Sequence, residues 1–254
     1  MRVHNYTLGT GIRRTPEFEK KGLATHAVNV GTKCGHDCAY CSTGTLLRTH
    51  PSFKESNEHP FKLGYAIVDP ETPKRVARDA RRTRQRGLVQ ICTQVDAWAP
   101  EAKAHDLGRR CLEAILGQPG WSVRILTKNA AVVDDFDLIE KYRDRVLVVL
   151  SITAPPSCAG PVSALEPNAS SISERTAALT EAHRRGIRTY GMFCPLLPGI
   201  SDSKAQIDWL IEFGVRTGVE EIFVEPVNSR GSGLIHCAEK LRQAGLPAFA
   251  DKID

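Results

Sequence analysis

His26-Ala27-Val28-Asn29-Val30-Gly31-Thr32-Lys33-Cys34-Gly35-His36-Asp37-Cys38-Ala39-Tyr40-Cys41 is the stretch from which the rest of this chain is read. Its first part, His26 to Thr32, is rich in β-branched residues and predicts a strand. The strand runs into a loop whose three cysteines follow the spacing C-x3-C-x2-C. Three thiolates can converge there, yet a closed zinc or iron-sulfur site normally takes four ligands. One metal position is thus left for a cosubstrate. On a 4Fe-4S cluster that open iron can chelate the amino and carboxylate groups of a methionine moiety and set its sulfonium beside an electron donor. Zinc completed by His36, His50 or a remote cysteine is the competing reading of the same residues.

Working outward, further short apolar runs predict strands at Leu88 to Val95, Ser122 to Thr127, Val146 to Ile152, Ile187 to Phe193 and Glu220 to Glu225. Helical patterning separates most of them, at Pro73 to Arg86, Glu101 to Leu116, Asp134 to Arg143, Ser173 to Arg185 and Asp202 to Thr217, with a last segment at Gly233 to Ala244. Strand and helix alternate, which is the signature of parallel βαβ units whose helices cover the sheet. Six units are too few for a closed eight-stranded barrel; an open barrel of six fits, and a doubly wound sheet fits the periodicity equally. Residues 42 to 72, with His50-Pro51, His59-Pro60 and a short hairpin expected around Phe61 to Val68, interrupt the alternation as an insertion. No linker or repeat divides the chain, so a single domain is expected over 1–254, with the barrel at about 24–230.

Composition sets bounds on function without choosing one. The chain has 254 residues, 41% hydrophobic and 25% charged, the make-up of an ordinary globular domain. Its longest apolar run, Val146 to Leu150, is far below the roughly 18–20 residues of a membrane span. The polar amino terminus carries no apolar signal region, which leads us to expect a cytoplasmic protein with no membrane partner. Lysine plus arginine exceeds aspartate plus glutamate by 34 − 29 = 5, a mild excess that permits an anionic partner without requiring one. The eight cysteines, five of them scattered singly, are expected to be reduced thiols.

The cysteine loop, with an aromatic residue before its third cysteine and a strand ahead of it, resembles the signature of the radical S-adenosylmethionine (SAM) superfamily. Ile91-Cys92-Thr93-Gln94-Val95-Asp96, Ile125-Leu126-Thr127-Lys128, Val149-Leu150-Ser151-Ile152-Thr153, Leu165-Glu166-Pro167 and Pro195-Leu196-Leu197-Pro198-Gly199 follow in order and are similar to the spore photoproduct lyase-like branch. The resemblance spans roughly residues 24 to 230. It implies a partial (β/α)6 barrel holding a 4Fe-4S cluster on Cys34, Cys38 and Cys41. It further implies reductive cleavage of SAM to a 5′-deoxyadenosyl radical that abstracts substrate hydrogen, as in a lyase or oxidoreductase, with a flavodoxin or ferredoxin as external electron donor.

The same resemblance assigns Lys128 to the methionine carboxylate, Ser151 to the ribose and Tyr40 to the adenine. Gln94 and Asp96 fall to the amino group or the ribose hydroxyls. Cys92 matches the cysteine that returns a hydrogen atom to the product radical in spore photoproduct lyases, whereas an isolated buried cysteine ordinarily behaves as a small apolar residue; Cys194 is a second candidate. Trp98 can stack on a planar substrate, or simply pack under a helix, and Glu225 and Asn228 can bond one. Arg75, Arg78, Arg82 and Arg86 share one face of a helix; the stripe can contact phosphates, but an outer barrel helix needs a solvated face in any case, so no DNA binding is inferred from it. The expected substrate is a nucleic-acid base or lesion. The alternatives are a peptide or small metabolite, and a non-catalytic metal protein that binds nucleic acid.

Overall fold

The computed structural model describes residues 1–229 and 231–253. Among the described residues ten strands are present: β1 (Arg2–Asn5), β2 (Arg13–Arg14), β3 (His26–Val28), β4 (Gly31–Lys33), β5 (Tyr65–Val68), β6 (Leu88–Ile91), β7 (Ser122–Thr127), β8 (Val146–Ser151), β9 (Arg188–Leu196) and β10 (Ile222–Pro226). Seven of them form one sheet in the order β10-β9-β8-β7-β6-β3-β2. From β3 to β10 every pairing in that sheet is parallel, and β2 adds an antiparallel edge on β3. The six parallel units form the partial barrel that the resemblance implied, and the strand order rules out a doubly wound sheet, whose strand order would reverse midway.

Alternation along the strands separates an interior from an exterior. Val149, Tyr190 and Met192, packed with Leu126, Leu147, Phe223 and Cys194, make an inner cluster. The residues between them, such as Val148, Leu150 and Phe193, join the larger core with the covering helices. A strand buried on both faces needs the nearly continuous apolar run seen in β8. Deeper inside, Arg124 lays its guanidinium 4.2 Å from the Tyr190 ring centroid and donates to the Leu23 carbonyl at 3.2 Å. β10 and β2 end the sheet unpaired with each other, and the ion pair of Lys21 with Glu225, 3.2 Å, reaches from the segment after β2 to β10.

Several elements differ from the sequence reading, among them the strand expected from Leu88 to Val95, which ends at Ile91, and the helix expected from Pro73 to Arg86, which ends at Arg82. The first strand is not continuous to Thr32, because Asn29 turns its side chain to Thr93: Oδ1 accepts the Thr93 and Gln94 N–H groups at 2.9 and 3.0 Å, and Nδ2 donates to Thr93 Oγ1 at 2.9 Å. The chain then leaves the barrel as β4, in a separate sheet ordered β1-β5-β4. The hairpin expected around Phe61 to Val68 is instead the single strand β5, parallel to β1 and antiparallel to β4. The helix expected from Glu101 to Leu116 breaks into Pro100–Lys103 and Leu107–Leu116 at Asp106, whose φ of 50° is left-handed. Among the described residues, no helix is long and apolar enough to cross a membrane.

Candidate active site

The cysteine loop begins directly after β4 and sits over the carboxyl ends of the barrel strands. Asp37, between the first two cysteines, takes a left-handed φ of 53°, a conformation that aspartate tolerates better than most residues. Its carboxylate fixes that turn, accepting from Lys33 Nζ at 3.0 Å and from the Gly64 N–H at 2.7 Å. The loop is fastened on both sides: the Gly35 N–H donates to Glu101 Oε1 at 2.7 Å, Asn168 Nδ2 donates to the Gly35 carbonyl at 2.9 Å, and the Ala39 N–H donates to the Leu165 carbonyl at 2.9 Å.

Cys34 is half-buried, Cys38 buried and Cys41 exposed, and all three face one cavity of about 600 Å³. This volume suits a small-molecule site, and its position at the strand ends is where the side chains of successive units meet. Burial pushes the Cys38 thiol up to about 12, with the Glu166 charge adding to the effect, and burial likewise raises Cys34, reinforced by its neighbouring thiols. Among the described residues, no three histidine, cysteine or acidic groups already close on a single-ion cage. The thiols instead border a wider space, and His36 Nε2 and Glu101 Oε2, buried on or against the same loop, find no hydrogen-bond partner within the protein. Three thiols, the donor type that iron-sulfur clusters take, line one space with room for a group larger than a single ion. His50, the outlying candidate for completing a zinc site, is used elsewhere: its ring accepts from the Ser52 N–H and so caps the helix Pro51–Glu55.

Two buried carboxylates organise the cavity wall. Asp96 accepts from the Trp98 N–H at 2.8 Å, from Thr127 Oγ1 at 2.9 Å and from the Lys128 N–H at 2.8 Å, and lies 3.5 Å from His36 Nδ1. Both of its oxygens are thereby engaged, so its place is that of a brace between the cysteine loop and β7. Glu166 accepts from the Tyr40 hydroxyl and the Arg175 guanidinium and lies 3.2 Å from Lys128 Nζ. Burial alone pushes its carboxyl up, but the Lys128 and Arg175 charges prevail and hold it at about 2. Lys128 Nζ donates to Ser151 Oγ at 2.7 Å and sits 5.6 Å from the Tyr40 ring centroid. Ser151 Oγ in turn donates to the Cys194 carbonyl at 2.6 Å, tying β7, β8 and β9 together at one level.

The structure therefore brings Tyr40, Gln94, Asp96, Lys128, Ser151, Glu225 and Asn228 to the wall of the cavity that the three cysteines face. Two expected residues are placed elsewhere. Cys92 is 1% exposed and does not line the cavity, and burial raises its thiol well above the ordinary range. Trp98 is fully buried, its indole N–H donating to Asp135 Oδ2 at 2.8 Å, so its ring packs beneath a helix instead of facing a substrate. The fourth thiol on the cavity is Cys194, 4.0 Å from Glu225 Oε2 and pushed by burial to about 11. The arginine stripe is partly spent within the fold: Arg75 pairs with Asp69, Arg78 with Asp79, and Arg86 donates to the Pro119 carbonyl. Arg175 went unnoticed in the sequence. Its signal is positional, since it shares the apolar stripe of its helix with Ile172, Ala178, Leu179 and Ala182, where a charge has to find a buried partner.

No protein-family model matches the chain. An uncharacterized protein of Acidianus two-tailed virus, ORF301, is 23% identical over 212 residues, 82% of this chain and 69% of its own length. Among solved structures, a point variant of spore photoproduct lyase superposes with a TM-score of 0.65 at 17% identity. Spore photoproduct lyase complexed with dinucleoside spore photoproduct gives 0.62 at 16%, and a double variant with bound AdoMet and that dinucleoside gives 0.59 at 14%. Each match covers 95% of this chain, and the chain spans 66% of the length of those lyases. The chain thus shares the fold of spore photoproduct lyase.

Proposed function

We propose that this protein is a radical SAM enzyme that holds a 4Fe-4S cluster on Cys34, Cys38 and Cys41 and takes SAM into the adjoining cavity. The observation that carries this reading is the meeting of those three thiols with Tyr40, Lys128 and Ser151, far apart in the chain, around one cavity at the carboxyl ends of parallel strands. The cluster, when bound, would supply the electron that cleaves SAM to a 5′-deoxyadenosyl radical for hydrogen abstraction. Lys128 offers an ammonium to the methionine carboxylate, a charge-assisted contact in a partly dry pocket. Ser151 and Gln94 offer hydrogen bonds to the ribose or amino groups, and Tyr40 offers its ring to the adenine. Leu126 and Met192 give the cavity an apolar floor that limits water. A flavodoxin- or ferredoxin-like protein would deliver the electron.

For the substrate we favour a nucleic-acid base or lesion. The support is the dinucleoside photoproduct held by two of the solved neighbours, together with the net charge of +5. Glu225 and Asn228 line the same cavity and offer polar groups to such a substrate. The test is anaerobic reconstitution with iron and sulfide, reduction by dithionite in the presence of SAM, and chromatography for 5′-deoxyadenosine, beside a Cys34→Ala/Cys38→Ala/Cys41→Ala control. Product from the native chain alone supports the reading and opens a substrate search among damaged oligonucleotides. Zinc at the site, or an iron-loaded protein that forms no 5′-deoxyadenosine, counts against it.

A further inference from the structure

Lys128 is not the only charged group beneath the cavity wall. Glu166, 3% exposed, lies 3.2 Å from its ammonium, and a carboxylate so placed competes with any anionic ligand for that ammonium. Arg175 shares that carboxylate with Lys128 and so weakens the competition. This residue is fully buried, does not line the cavity and so touches no ligand, yet it reaches Glu166 Oε2 with one arm and donates to the Ser151 carbonyl at 2.7 Å with the other. The Tyr40 hydroxyl supplies Glu166 with a further donor from the cysteine loop. Counted together, Lys128, Arg175 and Glu166 carry one net positive charge, and of the two cations Lys128 is the one that lines the cavity. The geometry agrees, since Lys128 sits closer to Ser151 Oγ, at 2.7 Å, than to Glu166.

We infer that Arg175 is a positioning residue for the cosubstrate: by occupying Glu166 and holding the Ser151 backbone, it keeps the Lys128 ammonium aimed at the cavity and available to a carboxylate. The inference rests on the reading that Lys128 receives the methionine carboxylate. Removing Arg175 leaves the buried Glu166 with Lys128 as its counter-charge, and the two close into a neutral pair. Removing Glu166 as well restores the lone ammonium. The change in charge falls on the amino-acid end of the ligand, while at the adenosine end Ser151 Oγ stays held by the Cys194 carbonyl and the Tyr40 hydroxyl keeps an oxygen acceptor at position 166.

The experiment measures binding to the reconstituted protein by anaerobic equilibrium dialysis with two probes. S-adenosylhomocysteine carries the carboxylate, and 5′-methylthioadenosine lacks the whole amino-acid end. In Arg175→Met we expect the dissociation constant for S-adenosylhomocysteine to rise at least tenfold while that for methylthioadenosine stays within threefold of the native value. In Glu166→Gln/Arg175→Met, where no buried charge is left unpaired, we expect affinity for S-adenosylhomocysteine to return to within threefold of native. Equal losses for both probes in Arg175→Met indicate a merely structural role and overturn the inference, as does unchanged affinity for both. If the single variant does not fold, the double variant and Glu166→Gln decide: either one binding S-adenosylhomocysteine tenfold more weakly than native, with methylthioadenosine unchanged, overturns it too. A native protein that binds neither probe defeats the SAM reading itself, whereas a native protein that binds both and an Arg175→Met variant that behaves like it defeat this inference alone.

Discussion

Thiol chemistry at this site is graded by burial, and the gradient is measurable one residue at a time. The thiolate is the reactive form, so an exposed cysteine alkylates ahead of one whose thiol is pushed up and shielded. In the metal-free native protein, iodoacetamide at neutral pH is expected to label Cys41 first, Cys194, at about 11, more slowly, and buried Cys92 and Cys111 only on unfolding. Reconstitution should protect Cys41 and leave the rate at Cys194 unchanged; peptide mass mapping reads both. The buried carboxylate network makes a second prediction. Glu166→Gln leaves Arg175 without its counter-charge, which costs about 3–5 kcal/mol in a buried pair, read as a lower urea midpoint. Because the folded-state Glu166 carboxyl is held at about 2, its contribution is complete above the ordinary carboxylate range of about 4.3 and is lost as pH falls through that window. The native protein should therefore lose stability between about pH 4.5 and 2 more steeply than Glu166→Gln.

At the scale of elements, the barrel strands and the cysteine loop were legible because their signals are local: β7 runs from Ser122 to Thr127 as the apolar run predicts, and β8 ends one residue early. The break of the first strand was not legible, because it depends on Asn29 meeting Thr93 across 64 positions of sequence. β1 and β2 were missed for a related reason, being short, polar and stabilised by partners distant in the chain. At the site the same division holds. Lys128 and Ser151 end apolar strands and could be picked out, whereas Arg175 reads as one more helical arginine until its neighbours on the stripe are counted. The separate sheet that presents the cysteine loop depends on a close approach at Gly31, where an added Cβ would stand 2.1 Å from the Ile67 carbonyl oxygen. Gly31→Ala must force β4 and β5 apart. We expect reduced iron loading on reconstitution together with a lower melting temperature, while a variant that loads iron normally would show that the small sheet does not set the loop. The helix Ile172–Arg184 begins with a reciprocal capping box, Ser171 with Glu174, so Ser171→Ala should cost about 1 kcal/mol by urea unfolding.

Over the whole molecule, the cavity is the place where separate parts of the fold meet. Its wall takes residues from the cysteine loop, from the turn after β6, and from β7, β8, β9 and β10, while the sheet itself stays open between β10 and β2. A ligand filling that space cross-links the loop carried by the small sheet to the last strands of the barrel, contacts that the unfolded chain cannot offer. Binding to the native state alone stabilises it by about 2.7 kcal/mol when the ligand is at a hundred times its dissociation constant. For a domain of this size each kcal/mol raises the melting temperature by about 2–4 °C, so SAM at that excess should raise the reconstituted protein by roughly 5–10 °C. The Cys34→Ala/Cys38→Ala/Cys41→Ala protein, which lacks the chelating group, should show a much smaller rise. Lys128→Ala should fall between them, since a charge-assisted hydrogen bond is worth about 1.5–3 kcal/mol, or a tenfold to hundredfold loss of affinity. Differential scanning fluorimetry under anaerobic conditions separates the three. Equal shifts in all of them would mean that SAM binds away from the cysteine loop and from Lys128, and would detach the cavity from the proposed chemistry.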